Sequence, residues 1–214
     1  DLAVPAPSAS PAPLVVCLHG GGWSMGSKGS FRKYLPQFAA LGHAAASIQY
    51  RLAPAHTFPA QLEDVRAALA YLRANAARFH LDPNKITLLG ASAGAHLALL
   101  AGWQLRDEIR AVIDISGPTD LRDWQMNPTA EAALLKTTNK RSRQLVDELM
   151  GGLPPAAASP VLQIGAGAKP TLIFQYREDQ AVAADQVTRL EAVLKQHRIP
   201  YETVWFDGRG HALA

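Results

Sequence analysis

Short apolar runs alternate with segments of helical periodicity along this sequence, and that alternation limits the fold more than any other feature. The runs are continuously apolar and mostly aliphatic, as strands buried on both faces of a sheet should be. They lie at residues 14–18, 44–49, 86–89, 111–115, 171–175 and 202–206. Between them, apolar residues recur at helical spacing at Leu62, Val65, Leu69 and Leu72, at Leu97, Leu100 and Ala101, and at Val187, Leu190 and Leu194. A strand before each helix predicts an α/β fold, with a mostly parallel central sheet and helices on both faces.

The composition predicts one domain over residues 1–214. Hydrophobic residues make up 48% of the sequence and charged residues 18%, which is enough apolar material for one sizeable core and too little charge for disorder. No repeat or low-complexity stretch divides the middle of the chain. Residues 1–13 predict a Pro/Ala-rich extended lead-in, and the polar, basic stretch 118–160 predicts a cap-like insertion.

The charge and cysteine content argue against several other classes of protein. The formal net charge of +3 is spread out, whereas nucleic-acid binding usually needs a dense basic patch. Cys17 is the only cysteine, and its apolar neighbours predict a buried strand residue. No run approaches the roughly 18 apolar residues of a membrane span. No metal-ligand motif is present, so neither a metal nor another cofactor is expected. The sequence leaves the oligomeric state and the compartment open.

The sequence GASAG at residues 90–94 follows a predicted strand and precedes a helical pattern. In this nucleophile-elbow pattern the turn is too tight for large side chains beside the serine, which explains the glycines. Ser92 is therefore predicted to be a nucleophile at a helix N-terminus, whose dipole favours developing negative charge. The alternative is a glycine-rich turn without chemistry, because the spacing alone also arises by chance.

Three consecutive glycines follow the first predicted strand, in the sequence HGGGW at residues 19–23. Such glycines serve where backbone N–H groups face a ligand without intervening side chains. Acyl transfer needs these donors, because its tetrahedral intermediate carries an oxyanion. We assign the N–H groups of Gly21, Gly22 and Ala93 to an oxyanion hole. A phosphate-binding loop is the alternative, but the sequence matches neither the P-loop nor the dinucleotide fingerprint.

A serine nucleophile needs a base, and His211 is the best placed of the seven histidines. It follows the last predicted strand in a short glycine-containing loop, and it satisfies the chain order serine, acid, histidine. His19 is expected to brace the glycine loop, and His96 to pack behind Ser92. Four histidines are expected to be solvated near turns or helix surfaces: His43, His56, His80 and His197.

The base in turn needs a carboxylate that fixes its tautomer. Asp179 follows the predicted strand 171–175 after a short loop, which is the position that the chain order requires. Glu178, Asp185 and Asp207 are nearby competitors, each of them more typical of an ordinary surface charge. Position after a strand favours Asp179 as the acid.

Taken together, these motifs resemble the α/β-hydrolase esterase/lipase family related to hormone-sensitive lipase and the small acetyl- and feruloyl-esterases. The resemblance runs from about residue 14 to the C-terminus. The matching segments are HGGGW at 19–23, YRLAP at 50–54, FPAQLEDV at 58–65, DPNKI at 82–86, GASAG at 90–94, ISG at 115–117, EDQAV at 178–182 and GH at 210–211.

The resemblance carries three implications. Arg51 and Asp64 are expected to form a structural ion pair. Ala91 stands where relatives of hormone-sensitive lipase usually carry an acidic residue, so the smaller acetyl-esterase branch is the closer match. Family members usually have strands before the equivalent of Leu14 and a helix after the histidine, so part of the natural protein is expected to lie outside this sequence.

The leading hypothesis is a serine carboxylic ester hydrolase, acting on a small-molecule ester through Ser92, His211 and Asp179. The first alternative is amide hydrolysis by the same three residues, as in the related arylformamidases and oligopeptidases. The second is a ligand-binding member of the fold without activity, which the presence of all three residues disfavours. The cap-like stretch has few large apolar residues, so acetyl to butyryl esters are expected, on a carbohydrate or aromatic alcohol that Trp23 stacks against. Packing over the glycine loop is the alternative role for Trp23.

Overall fold

The apolar runs form the strands of one sheet, as the computed structural model shows for residues 1–165 and 167–212. The predicted domain 1–214 also includes Ala166, Leu213 and Ala214, which lie outside the described residues. The strands are β1 (Leu2–Ala3), β2 (Ala12–Leu18), β3 (Ala44–Ile48), β4 (Leu81–Ala91), β5 (Ala111–Ile115), β6 (Thr171–Tyr176) and β7 (Tyr201–Phe206). Their order across the sheet is β1-β3-β2-β4-β5-β6-β7.

Among the described strands, β2 to β7 pair parallel with one another, and β1 pairs antiparallel with β3. The predicted α/β fold with a mostly parallel sheet is thereby confirmed. Because parallel strands end at the same edge, the loops that follow them meet there. The glycine loop follows β2, Ser92 follows β4, Asp179 follows β6 and His211 follows β7.

The helices between the strands include all three that the apolar spacing predicts, here α2, α4 and α7. The seven are α1 (Leu35–Ala40), α2 (Ala60–Ala74), α3 (Ala76–Phe79), α4 (Ala93–Gln104), α5 (Pro128–Thr138), α6 (Ser142–Met150) and α7 (Ala184–Gln196) within the described ranges. None of the helices described is long and apolar enough to cross a membrane.

Alternate residues of β2 face the two sides of the sheet, because side chains alternate along a strand. Val16 and Leu18 belong to the larger core, which also contains the apolar stripes of α2, α4 and α7. Val15 and Cys17 belong to a smaller cluster on the other face, with Leu35 of α1. The predicted burial of Cys17 is confirmed, since none of its surface is exposed. Helix α4 lies deepest, because nearly all of its residues are buried.

The predicted lead-in (1–13) and the predicted cap-like insertion (118–160) contain strands and helices that the sequence analysis did not predict. Within residues 1–13, Leu2–Ala3 form the edge strand β1 and Ala12 begins β2, while the residues between them are mostly exposed. Within 118–160 lie α5, α6 and a 3₁₀ turn at Pro155–Ala158. Helix α5 buries none of its residues, so it has no apolar stripe that the sequence could reveal.

Asp114 is a fully buried carboxyl group in the middle of the sheet, on β5. Its Oδ1 accepts the backbone N–H of Gly117 at 2.8 Å. Its Oδ2 has no hydrogen-bond partner among the described residues. Burial raises the pKa of Asp114 to about 7, because the charged form loses its hydration.

We expect the Asp114→Asn variant to gain stability relative to the parent as the pH rises from 4 to 7. The folded parent binds a proton at Asp114 in this range and the unfolded chain does not, so the contribution of Asp114 is full below pH 4 and is lost through pH 7. The difference in unfolding free energy should grow by at most about 1.4 kcal/mol per pH unit, the limit for one proton. Urea titrations at several pH values measure the unfolding free energies of variant and parent. Asp207→Asn is the control, because the Asp207 side chain is 97% exposed. A difference that stays constant across this range would contradict the prediction.

Candidate active site

Ser92 lies on the sharp turn between β4 and α4, with φ 54° and ψ −121°. This conformation is sparsely populated by residues with a side chain, so the turn stores strain. The N–H of Ser92 donates to the carbonyl oxygen of Ile115 at 2.8 Å, which fixes the turn to β5. A Cβ on Gly94 would overlap the carbonyl oxygens of Leu18 and His19, and glycine is therefore required where α4 crosses the end of β2.

His211 contacts Ser92, with 2.9 Å between Nε2 and Oγ. Its Nδ1 lies 2.8 Å from Oδ2 of Asp179 and 3.1 Å from Oδ1. Because a carboxylate only accepts hydrogen bonds, the imidazole proton belongs on Nδ1, which leaves Nε2 free to accept from the serine hydroxyl. The three residues predicted as nucleophile, base and acid are thus brought into one row of hydrogen bonds.

The carboxylate of Asp179 is held by several donors besides His211. The N–H groups of Ala181 and Val182 donate to Oδ1, each at 2.9 Å. The side chain of Gln175 donates to Oδ2 at 3.2 Å. The Asp179 side chain has no exposed surface, so these bonds replace the water it would otherwise bind.

The three competing carboxylates do not contact the imidazole in the structure. Glu178 pairs with Arg209 at 3.2 Å, and Asp185 pairs with Arg189 at 2.9 Å. Asp207 is almost fully exposed and lies 3.3 Å from Arg177. Each of these groups has the surface position expected of it.

The glycine loop passes beside Ser92. A Cβ on Gly20 would lie 3.2 Å from Cβ of Ser92, which shows how closely the loop approaches the serine. Gly21 has φ 118°, a value that strongly favours glycine, and its carbonyl accepts the N–H of Met25 at 2.9 Å. No hydrogen bond within the described residues occupies the N–H of Gly21, Gly22 or Ala93. These are the three groups predicted as oxyanion donors, and all three remain free to bind a ligand.

A pocket of about 560 Å³ opens above the serine. Its polar floor contains Ser92, His211 and the glycine loop. Its walls are mostly apolar and come from two segments, one between β2 and α1 and the other in the cap-like stretch. The wall residues include Met25, Phe31 and Tyr34 from the first, and Met126, Leu134 and Leu145 from the second. Among the described residues, no group of three or more His, Cys, Asp or Glu side chains is arranged to hold a metal ion.

The prediction that Trp23 stacks against a substrate is wrong. The Trp23 side chain has no exposed surface and does not line the pocket. After the glycines the chain turns inward, with φ 59° at Trp23, and the indole packs edge-on against Trp124 and His96. A large ring gains more from burial than from exposure at a pocket rim, provided that its N–H finds an acceptor. The alternative interpretation, packing beneath the glycine loop, is the one that the structure supports.

His19 braces the glycine loop, as the sequence predicts. Its ring stacks on Tyr50 with 4.1 Å between the ring centroids, and its Nδ1 lies 2.8 Å from the carbonyl oxygen of Gly20. Burial lowers the pKa of His19, so the neutral ring is favoured. The ion pair expected between Arg51 and Asp64 is also present, at 2.9 Å.

Three residues that support the site are not among the predictions. Gln175 donates to Asp179, and its polar side chain at the end of an apolar strand is a signal that could have identified it. Ser116, with φ 53°, accepts the N–H of Ala212 at 3.3 Å and so holds the loop that carries His211. Leu145 packs against Gly22 and lines the pocket, and no local pattern marks it.

The chain is similar in sequence and in fold to known esterases. The family model described as BD-FAE matches residues 1–194. Esterase LipC of Mycobacterium tuberculosis (strain ATCC 25618 / H37Rv) is 33% identical over 222 residues, which cover 94% of this chain and 53% of that protein. The chain spans about half the length of the curated relatives it matches.

Solved structures of esterases superpose well on this chain. A bacterial heroin esterase has a TM-score of 0.81 and 26% identity, and the match covers 98% of this chain and 70% of that one. An esterase from the Planctomycetes species Thermogutta terrifontis, with propionate bound, has a TM-score of 0.79 and 26% identity. That match covers 98% of this chain and 78% of the other.

We expect Ser92→Gly to be more stable than Ser92→Ala by about 1 kcal/mol, because glycine adopts the positive φ of this turn without strain. Both variants lack the hydroxyl, so the comparison isolates the backbone. Urea unfolding of the two proteins measures the difference. Equal stability, or a more stable alanine variant, would show that the turn is not strained.

Proposed function

This chain belongs to the BD-FAE family of α/β-hydrolase esterases, and from that premise we propose that it is a serine carboxylic ester hydrolase. The observation that carries the proposal is the row of hydrogen bonds from Ser92 through His211 to Asp179. Ser92 and His211 line the floor of an open pocket, beside three unoccupied backbone N–H groups, and Asp179 is buried behind them. Serine acyl transfer requires these parts in this arrangement.

In the proposed reaction, Oγ of Ser92 attacks the ester carbonyl carbon while Nε2 of His211 takes the hydroxyl proton. The carbonyl oxygen becomes an oxyanion, which the N–H groups of Gly21, Gly22 and Ala93 stabilise. Asp179 holds the imidazole in the required tautomer and stabilises the imidazolium. His211 then gives its proton to the leaving alcohol, and the carbon–oxygen bond to that alcohol breaks.

The resulting acyl-enzyme is hydrolysed by the same groups. Nε2 of His211 takes a proton from water, the hydroxide attacks the acyl carbon, and a second oxyanion forms in the same hole. Its collapse breaks the bond to Oγ of Ser92 and releases the carboxylic acid, while His211 returns the proton to the serine. The proposed reaction uses no cofactor, because one histidine carries out all four proton transfers.

We expect Ser92→Ala to fold normally and to lose ester hydrolysis by roughly 10⁴-fold or more, because the variant lacks the attacking atom. Hydrolysis of p-nitrophenyl acetate measures the loss. An organophosphate should label the parent enzyme at Ser92, as mass spectrometry of the peptides will show. Activity within tenfold of the parent, or an adduct on another residue, would refute the proposed nucleophile.

Asp179→Asn should lower kcat roughly a thousandfold or more, because the imidazole then takes the wrong tautomer. Glu178→Gln is the matched control on the neighbouring residue, whose side chain is 60% exposed, and it should leave kcat nearly unchanged. Steady-state kinetics on one ester compares the two. A larger loss in the Glu178 variant would assign the acid to Glu178 instead.

Short acyl groups are the proposed substrates, from acetyl to butyryl. Leu145 supports this range, because its side chain packs on Gly22 and narrows the pocket beside the proposed oxyanion hole. The related esterase from Thermogutta terrifontis holds a short acid, propionate. Met25 and Tyr34 line the pocket and keep exposed surface that an aromatic part of the ester could contact, whereas Trp23 is too deeply buried to contact a sugar or ring.

A panel of p-nitrophenyl esters of increasing acyl length, run beside acetylated sugars and feruloyl esters, tests the substrate range. We expect kcat/KM to peak at or below four carbons, and Leu145→Ala to move the peak to longer chains by about fourfold per newly buried methylene. The ratio of kcat/KM between two esters is measured on one preparation, so it does not depend on what fraction of that variant is folded. Leu135→Ala, on an exposed residue of the same cap-like stretch, is the control. A parent optimum at ten carbons or more would contradict the proposed range.

A further inference from the structure

His96 is a buried histidine that the proposed reaction does not use. It lies one helical turn beyond Ser92 on α4, and its backbone N–H donates to the backbone carbonyl oxygen of Ser92 at 3.1 Å. Its side chain has no exposed surface. It therefore belongs to the same rigid helix end as the proposed nucleophile.

Both ring nitrogens of His96 have hydrogen-bond partners on other elements. Nδ1 accepts the indole N–H of Trp23 at 3.1 Å. Nε2 lies 2.6 Å from the carbonyl oxygen of Ala158, in the 3₁₀ turn that ends the cap-like stretch. An indole only donates and a carbonyl only accepts, so the ring must be the neutral tautomer with its proton on Nε2. Burial lowers the pKa of His96 to about 4, which keeps the ring neutral at ordinary pH.

Trp23 carries this connection to the glycine loop. It directly follows Gly22, and its carbonyl oxygen accepts the N–H of Ala53 at 3.0 Å. Its ring also packs edge-on against Trp124, whose indole donates to the carbonyl oxygen of Ala181 at 3.1 Å. Ala181 in turn donates its N–H to Asp179. The end of the glycine loop is thus fixed to both the serine helix and the acid loop.

We propose that His96 is a positioning residue that fixes the distance between the glycine loop and Ser92 through its hydrogen bond to Trp23. The inference rests on the proposed ester hydrolysis. Backbone donors stabilise an oxyanion only when they are held in place before the charge develops. Because His96 and Ser92 share one helix end, the bond to Trp23 holds Gly21 and Gly22 at a set position relative to the attacking oxygen.

Two amide substitutions separate the two hydrogen bonds of His96. Asparagine places an amide oxygen near the position of Nδ1, so His96→Asn keeps an acceptor for Trp23 and loses the bond to Ala158. Glutamine places an amide nitrogen near the position of Nε2, so His96→Gln keeps the bond to Ala158 and loses the acceptor for Trp23. Trp23→Phe removes the same bond from the other side and keeps an aromatic ring in the core.

The experiment measures kcat and KM for p-nitrophenyl butyrate, together with the inhibition constant of a trifluoromethyl ketone that forms an oxyanion adduct with the serine. We expect His96→Gln and Trp23→Phe to lower kcat roughly tenfold to a hundredfold with little change in KM. Both variants should also raise the inhibition constant of the ketone by a similar factor. His96→Asn should retain kcat within about threefold of the parent, because its acceptor for Trp23 remains. The double variant of His96→Gln and Trp23→Phe should be no worse than the poorer single variant, because both remove one bond.

Thermal melting of every variant allows kcat to be expressed per folded molecule, and His56→Gln, at an exposed histidine, is the matched control. Parent-like kcat in the His96→Gln and Trp23→Phe variants would overturn the inference. The inference would also be overturned if the losses of kcat were additive in the double variant, or if the inhibition constant of the ketone did not change. It would be overturned as well if His96→Asn lost as much kcat as His96→Gln. A parent chain that hydrolyses no ester would instead refute the proposed function, and this inference with it.

Discussion

The close crossing of α4 over the end of β2 is the contact on which the rest of the site depends. Gly94 lies against the carbonyl oxygens of Leu18 and His19, where any side chain would overlap them. This contact brings the glycine loop that follows β2 beside the serine that precedes α4. The parallel sheet then adds the loops after β6 and β7 at the same edge, and with them Asp179 and His211. The packing of the backbone therefore sets where these four parts of the site lie relative to one another.

Strain at the serine turn is maintained by the buried structure around it. Ser92 keeps its positive φ because α4 is packed on nearly every side and the turn's N–H is bonded to β5. Local strain of this kind persists only where the surroundings determine the backbone more strongly than local preference does. The buried partners of the glycine loop, His19 and Trp23, extend the same principle to the other half of the site. In both halves of the site, the turn is therefore hydrogen-bonded to a buried part of the fold.

Strands β2 to β7, the main helices and the three residues of the hydrogen-bonded row could be predicted, because buried strands must be apolar and acyl-transfer chemistry restricts both residue type and chain order. The resemblance to the esterase family is confirmed for the same reason. Tertiary contacts could not be predicted. An aromatic residue after three glycines suits either a pocket rim or a core, so the direction of Trp23 depended on its contacts with His96 and Trp124. Strand β1 has two residues, too few to show a periodic pattern, and α5 has no buried face to leave one.

The position of Cys17 has a practical consequence. Its thiol lies in the middle of β2 without exposed surface, and burial raises its pKa to about 12. Alkylating reagents attack the thiolate, so the folded protein offers them no target at neutral pH. Since the sequence contains no second cysteine, modification of the chain by such a reagent reports only those molecules in which β2 has opened. The native chain thus contains its own probe of global unfolding, which can be read by mass without any added label.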